Sequence, residues 1–364
     1  MLTVSNWPNT RIENRYLDLY YSALATHGIT LGPGCEIRDE FLHANAGTLN
    51  AIQFQWAPEQ IWRVRGTSVL ARARGLAGFR NYLRLAHSLG IRIVWTLHDI
   101  EHHEGSGWLD SVGYRLLASY ADLCVVHDEW AAEQFVRRFK GSRDRVVVME
   151  HGNYDGVFPT AVARSTTLSR LNIDPVRRVL LCQGAVRPYK GFELAIEAAK
   201  KLGANYHLII AGRVMEPAYG ESLRALAQNS DNITLLLESQ SDQAVSDLFA
   251  ACDCFLLPYA KITGSGSLLT TATLSRGFVA TDLPYFRAAL KQEPQAGVCF
   301  PVGSVSGLVE AVQTFFAKDV NTRHAAARRI ADRVPWNEVV RPVAEWFHHT
   351  FPQPTHTATA TRAN

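Results

Sequence analysis

No run of apolar residues in this sequence approaches the roughly 20 that a bilayer-spanning helix needs, so no such helix is expected. The opening stretch MLTVSNWPNTRIENRY lacks a charged segment followed by a long apolar one and does not read as a secretory signal. Both absences predict a cytoplasmic protein. An excess of charge is missing too. The 37 Lys and Arg against 34 Asp and Glu leave a net charge of +3, which argues against a general nucleic-acid binder while permitting local concentrations. No internal repeat is visible. Cysteine is sparse: Cys35, Cys124, Cys182, Cys252, Cys254 and Cys299 sit mostly inside apolar runs such as ADLCVV and LLCQG. They read as small buried hydrophobes in a reducing compartment rather than a disulfide framework. The CDC at 252–254 is too tight for a zinc site, and no metal is expected.

What is present is 364 residues, 47% hydrophobic and 20% charged, enough for two packed cores. Short apolar runs alternate with helical patterns from end to end, the signature of βαβ units and parallel sheets. Strands are predicted near Leu2–Ser5, Ala51–Gln55, Arg92–Leu97, Leu123–His127 and Val146–Glu150, with helices that include Arg15–Gly28, Leu70–Gly90 and Glu129–Phe139. After the polar stretch FPTAVARSTTLSRLNIDPVRR the alternation restarts. Its strands fall near Val179–Gln183, His207–Ala211, Ile233–Leu237, Cys254–Leu257 and Gly277–Ala280. The fold class is α/β, two Rossmann-like doubly wound domains over 1–160 and 161–333. A terminal helix over 334–351 and a tail, 352–364, of disordered composition follow.

The stretch GAVRPYKGFELAIEAA places Arg187 and Lys190 between a buried strand and an amphipathic helix. That is where α/β sheets bind ligands, because crevices open at the carboxyl ends of strands and helix starts offer N–H groups to anions. A second loop, LPYAKITGSGSLLTTATLSRG, opens a helix with Gly264, Ser265, Gly266 and Ser267, small residues that let backbone amides approach an anion. Together they suit a pyrophosphate; alone, each also reads as a solvated loop. The loop HDIEHHEG gathers His98, Asp99, Glu101, His102, His103 and Glu104 at a strand end. A solvated polar turn and a two-histidine metal site without a third ligand are its other readings. His151 and Gly152 in EHGNYDG line a cleft or form a structural turn. Asn6, Asn14 and Arg15 follow the first strand, where they face a substrate or, for Asn14, cap the first helix. The segment 61–92 carries Arg63, Arg65, Arg72, Arg74, Arg80, Arg84 and Arg92, no acidic residue, and interleaved apolar side chains. It reads as a surface for anionic lipid or as an ordinary solvated helix face.

GAVRPYKGFELAIEAA, LIIAG, ACDCFLLPYAKITGSGSLL and VATDLPYF resemble the donor half of GT-B-fold glycosyltransferases. IQFQWAPE, RIVWTLHDIEHHEGSGW and VMEHGNYDGVF are similar to the acceptor half of bacterial exopolysaccharide glycosyltransferases of the xanthan-type GDP-mannose:glycolipid β-mannosyltransferase kind. The resemblance implies two Rossmann-like domains facing a central cleft, with the terminal helix crossing back to the first. It implies transfer of a hexose from a nucleotide sugar to a lipid-linked or glycan acceptor, without a cofactor. GDP-mannose leads as donor, and a UDP-hexose or UDP-hexuronic acid comes next. Arg187, Lys190 and Gly264 to Ser267 would hold the diphosphate. Arg213, Leu237 and Glu238 would meet the base and ribose. Asn6, Asn14, Arg15, Trp56, His151 and Gly152 would line the acceptor side. Asp99 or Glu104 would be the base, with His98 and His103 beside it.

Several positions depart from the pattern. Thr263 and Thr271 stand where retaining relatives carry two glutamates, which favours inversion. Asp99 replaces an asparagine, and Gln53 and Gln55 replace histidines. A GT-B-fold nucleotide-sugar epimerase and a non-catalytic nucleotide-sugar-binding partner are the alternatives.

Overall fold

In the computed structural model the residues described are 2–9, 15–56, 58–64, 66, 68–98, 107–262 and 266–352. The chain forms two compact units. One comprises residues 1–150 and the chain from Trp336 onward, the other His151–Pro335.

Among the described residues the first unit is built on six parallel strands: β1 Leu2–Trp7, β2 Ile29–Leu31, β3 Ala51–Phe54, β4 Arg92–Thr96, β5 Leu123–Val126 and β6 Val146–Val148. Their order is β2-β1-β3-β4-β5-β6. Alternate side chains leave opposite faces of a strand. Ile93 and Trp95 of β4 accordingly pack with Trp62, Phe79 and Phe135 on one side. Val94 packs with Tyr16, Tyr20 and Leu24 on the other, where Trp336, Val343 and Phe347 complete the layer. The final helix, Arg341–Thr350, thus belongs to the first unit. His348 and His27 pin it: the His348 ring meets the His27 carbonyl at 2.9 Å, and the His27 ring meets the Asn337 carbonyl at 2.9 Å. Local signals set the helix ends. Ser68 accepts from Ala71 N–H to start Val69–Ser88, and Asp128 accepts from Ala131 N–H to start Glu129–Phe139.

The second unit holds β7 Arg178–Gln183, β8 Tyr206–Ala211, β9 Ile233–Leu236, β10 Cys254–Leu257, β11 Phe278–Thr281 and β12 Gly297–Phe300, all parallel. The order is β12-β11-β10-β7-β8-β9. Val179 and Leu181 face one core, Leu180 and Cys182 the other. All six cysteines are free thiols, five of them buried and Cys299 half-buried.

Each order contains one reversal. In the second sheet the chain grows from β7 to one edge and then returns to add β10, so the switch lies between β7 and β10. In the first it lies between β1 and β3. Doubly wound sheets take ligands at such points, outside the carboxyl ends of the strands.

Candidate active site

The loops leaving β7 and β10 are the two that carry the cationic pair and the small residues. Arg187 begins a short 3₁₀ turn, Pro188–Lys190, and Gly191 ends it with φ +62°. A Cβ at Gly191 would stand 2.2 Å from the Pro258 carbonyl oxygen, so only glycine permits that approach. Ala260 N–H donates to the Tyr189 carbonyl at 2.8 Å. These contacts brace the two loops against each other.

Lys190 is buried and its ammonium lies 5.5 Å from the centroid of the Tyr259 ring. Burial lowers its pKa to about 8, and Arg187 adds to the effect. A Cβ at Gly184, where φ is +120°, would stand 2.7 Å from Lys190 Nζ and 3.6 Å from Ser267 Oγ. The ammonium, the Ser267 hydroxyl and the bare Cα of Gly184 therefore surround one small volume. Ser267 lies in the first turn of the helix Gly266–Thr273. Among the described residues no carboxylate pairs with Lys190 or with the half-buried Arg187. Cations left uncompensated beside a helix start can hold an anion.

One expected donor is spoken for. The first amide of the helix Phe192–Leu202 donates to the Tyr219 hydroxyl at 3.1 Å, and the Leu194 amide donates to the Gly191 carbonyl at 3.0 Å. The charge at this loop comes from side chains rather than from that helix start. Gly264, Ser265 and Thr263 lie outside the described residues. Thr271 is buried, its hydroxyl donating to the Ser267 carbonyl at 2.7 Å. Arg213 is exposed after β8, and its carbonyl accepts from Val186 N–H at 2.8 Å, which places it beside the Arg187 loop. Leu237 is half-buried and Glu238 exposed, just past β9.

His151 and Gly152 fall at the start of the second unit. His151 Nδ1 lies 2.7 Å from the Gly152 carbonyl, and Gly152 is buried. Two residues on, Tyr154 N–H donates to the Thr273 hydroxyl at 3.0 Å. A Cβ at Gly266 would stand 2.9 Å from the Tyr154 hydroxyl. Tyr154 and Gly184 were not singled out from the sequence, though Tyr154 lies inside the quoted EHGNYDG. A hollow of about 280 Å³ between Lys200, Gly203, Asn229 and Asn232 lies at the opposite, amino-terminal end of this sheet and takes no part in the arrangement.

At the switch point of the first sheet a polar network replaces the expected exposed contacts. Asn6 is buried, donating from Nδ2 to the Pro8 carbonyl and accepting from the Tyr21 hydroxyl. Gln53 is buried, its Nε2 within 3.0 Å of the Tyr20 hydroxyl and 2.8 Å of Thr96 Oγ1. Gln55, also buried, joins the Tyr21 hydroxyl to His98. Trp56 stacks on the His98 ring with centroids 4.2 Å apart. Both His98 nitrogens have protein partners, Gln55 at 2.8 Å and His127 at 3.3 Å. Arg15 is exposed at the start of the helix Arg15–Thr26. Asn14, Asp99, Glu101, His102, His103 and Glu104 lie outside the described residues.

In the arginine-rich stretch Arg63 turns inward, donating to the buried Asp110 carboxylate at 2.6 Å, where Trp62 Nε1 and Gly107 N–H also bind. These bonds hold the Asp110 pKa down against the burial that would raise it. Arg63 is thus a structural cation, not part of a lipid-facing surface. The exposed apolar side chains beside this stretch are Val64, Val69 and Leu70, with Trp108 and Val112 on the neighbouring helix Trp108–Tyr120. Among the described residues no helix is long and apolar enough to cross a membrane.

Two parallel-sheet Rossmann-like units of these orders make a GT-B fold, and the second carries a glycosyltransferase domain. The family model described as glycosyl transferases group 1 matches residues 164–333. The chain is similar to the GDP-mannose:glycolipid 4-beta-D-mannosyltransferase of Xanthomonas campestris pv. campestris, 27% identical over 192 residues, which are 52% of this chain and 50% of that protein. The match therefore spans half the length of that relative. Among solved structures, Anabaena Alr3699/HepE in complex with UDP aligns with a TM-score of 0.72 at 14% identity, over 96% of this chain and 100% of that one. WaaG, a glycosyltransferase involved in lipopolysaccharide biosynthesis, aligns with a TM-score of 0.62 at 16% identity, over 95% and 99%. These structural likenesses bear on the fold.

Proposed function

We propose that the protein moves a hexose from a nucleoside diphosphate sugar to a glycolipid or glycan acceptor in bacterial polysaccharide assembly. One observation carries the reading: a buried ammonium, Lys190, is left without a carboxylate partner among the described residues and shares a small volume with Gly184 and Ser267. In a transfer the bond from the anomeric carbon to the diphosphate oxygen breaks, and the diphosphate leaves with the electron pair. Lys190, Arg187 and the start of the helix Gly266–Thr273 would stabilise that developing charge. The acceptor oxygen bonds to the anomeric carbon, and its proton passes to a base. We assign that base to Asp99 or Glu104. Two protein cations at the diphosphate supply charge that a metal would otherwise supply, so we propose metal-independent transfer.

Thr271 gives the donor helix a hydroxyl, not a carboxylate, where retaining relatives carry the second of their glutamates, which supports inversion. The name of the Xanthomonas relative makes GDP-mannose the first donor to test, with UDP-hexose and UDP-hexuronic acid next. We place the protein in the cytoplasm, at the inner membrane face, with Leu70 and Trp108, 61% and 67% exposed, meeting lipid beside Arg72 and Arg74. The test is product analysis with each labelled donor, with and without acceptor extract, in the presence of a chelator. Labelled glycolipid from one donor supports the reading. Conversion of donor without acceptor would replace it with an epimerase.

A further inference from the structure

The segment that opens the second unit is tied down at three consecutive residues. Asn153 N–H donates to the Val334 carbonyl at 2.9 Å, and its Nδ2 donates to the Ala331 carbonyl at 3.0 Å. Tyr154 N–H donates to Thr273 Oγ1 at 3.0 Å, on the last residue of the helix Gly266–Thr273. The Asp155 carboxylate accepts two bonds of 2.7 Å from the Arg328 guanidinium, and Arg328 Nη1 also donates to the Thr273 carbonyl at 3.0 Å. Tyr154 therefore stands between two anchored neighbours, and its own backbone is fastened to the end of that helix. Side chains supported in this way hold one geometry.

From the helix's last residue the Tyr154 side chain runs back to its first. The hydroxyl oxygen lies 2.9 Å from where a Cβ on Gly266 would stand, and the ring is flanked by His151 and Phe158, centroids 5.7 and 6.4 Å away. Gly266 is helical and its φ is not positive, so its backbone does not call for glycine. The close hydroxyl does. On the next residue of the same turn, Ser267 Oγ and the Lys190 ammonium border the bare Cα of Gly184. Lys190 is 6% exposed, and among the described residues no carboxylate pairs with it. A buried cation in that state calls for an anion.

We propose that Tyr154 is a further ligand of the leaving diphosphate, its hydroxyl donating to the anion that Lys190 and Ser267 hold at the neighbouring residue of the same helical turn. The inference rests on the donor-site reading given above and adds to it a neutral donor from outside the two strand-end loops. Burial raises the Tyr154 pKa above its ordinary value, and Tyr285 adds to the effect. The hydroxyl therefore keeps its proton and is available as a donor. Among the described residues it donates to none. A fixed O–H beside the departing phosphate oxygen stabilises the charge that gathers there, with no reorganisation at the moment of transfer.

The test is calorimetric titration of the full-length wild type, Tyr154→Phe and Lys190→Ala with GDP and with UDP, alongside thermal melting of each protein. Tyr154→Phe deletes one oxygen and keeps both the ring and the backbone bond to Thr273. The expected result is that it binds the wild type's diphosphate about tenfold more weakly, the loss of one hydrogen bond to a charged group, and melts as the wild type does. A purely structural Tyr154 would lower the melting temperature and leave affinity alone. Affinity within about twofold of the wild type in Tyr154→Phe, beside a loss in Lys190→Ala, would overturn this inference while the donor-site reading stands. Wild-type affinity in both variants, or no binding by the wild type, would overturn both. Gly266→Ala decides if Tyr154→Phe does not fold: its added carbon claims the place of the hydroxyl, so affinity should fall there too, and unchanged affinity would overturn the proposal.

Discussion

A methyl group added to Gly184 would stand 2.7 Å from the ammonium of Lys190. The contact explains why a glycine ends the strand–loop junction of GAVRPYKG. Its φ of +120° strains any other residue, by about 1–3 kcal/mol, and the volume a side chain would fill is the one Lys190 and Ser267 border. Gly184→Ala should lower the melting temperature and weaken nucleoside diphosphate binding at least tenfold. Thermal melts and calorimetry on one preparation check both; unchanged affinity would mean the anion sits elsewhere.

Removing the cations separates binding from folding. Arg187→Ala and Lys190→Ala should each weaken diphosphate binding by roughly 1.5–3 kcal/mol, the range for hydrogen bonds to charged groups. Lys190→Met should do the same while leaving the unliganded protein as stable as the wild type or more so, because it deletes a buried charge. Loss of stability together with binding would make Lys190 a structural residue.

The lowered pKa of Lys190 gives the site a pH signature. Its folded value of about 8 lies below its ordinary 10.5, so between these values the unfolded chain binds more protons than the folded one. The contribution of Lys190 to stability therefore rises with pH across that window, and its burial cost is fully present below about 8. A bound diphosphate favours the charged form and raises the pKa again. Binding at pH 8.5 should take up protons, and binding at pH 6.5 should not. Calorimetry in buffers of different ionisation enthalpy measures this, and Lys190→Met should abolish the uptake.

The lipid-facing reading makes a further prediction. Leu70→Glu with Trp108→Glu should abolish co-sedimentation with vesicles containing anionic lipid, while turnover of a water-soluble acceptor analogue stays within twofold. Both side chains are more than half exposed, so folding should be unaffected. Equal sedimentation of variant and wild type would assign the patch elsewhere.

Much of this was legible in the sequence because period and punctuation are local. The helix Glu129–Phe139 and the strand Cys254–Leu257 were read with their observed ends, and Arg187 and Lys190 were placed on their loop by the apolar run before them. The three-residue strand β2 was missed, since so short a run carries no period. Gln53 and Gln55 were read only as departures from a family pattern. Yet two glutamines at spacing two in IQFQ must share one face of a strand, and that face meets Tyr20 and Tyr21. His127 could have been found the same way, because LCVVH ends as IVWTLH does. What no local pattern discloses is which strands become neighbours, and the His98–His127 contact depends on that.

The measurement that bears most directly on the central claim is a calorimetric titration of the wild type and of Lys190→Ala with GDP and with UDP, in the presence of a chelator. The account predicts that one of the two nucleotides binds the wild type without added metal and binds Lys190→Ala at least tenfold more weakly. Equal affinity in both proteins, or binding that appears only when magnesium is supplied, would contradict it.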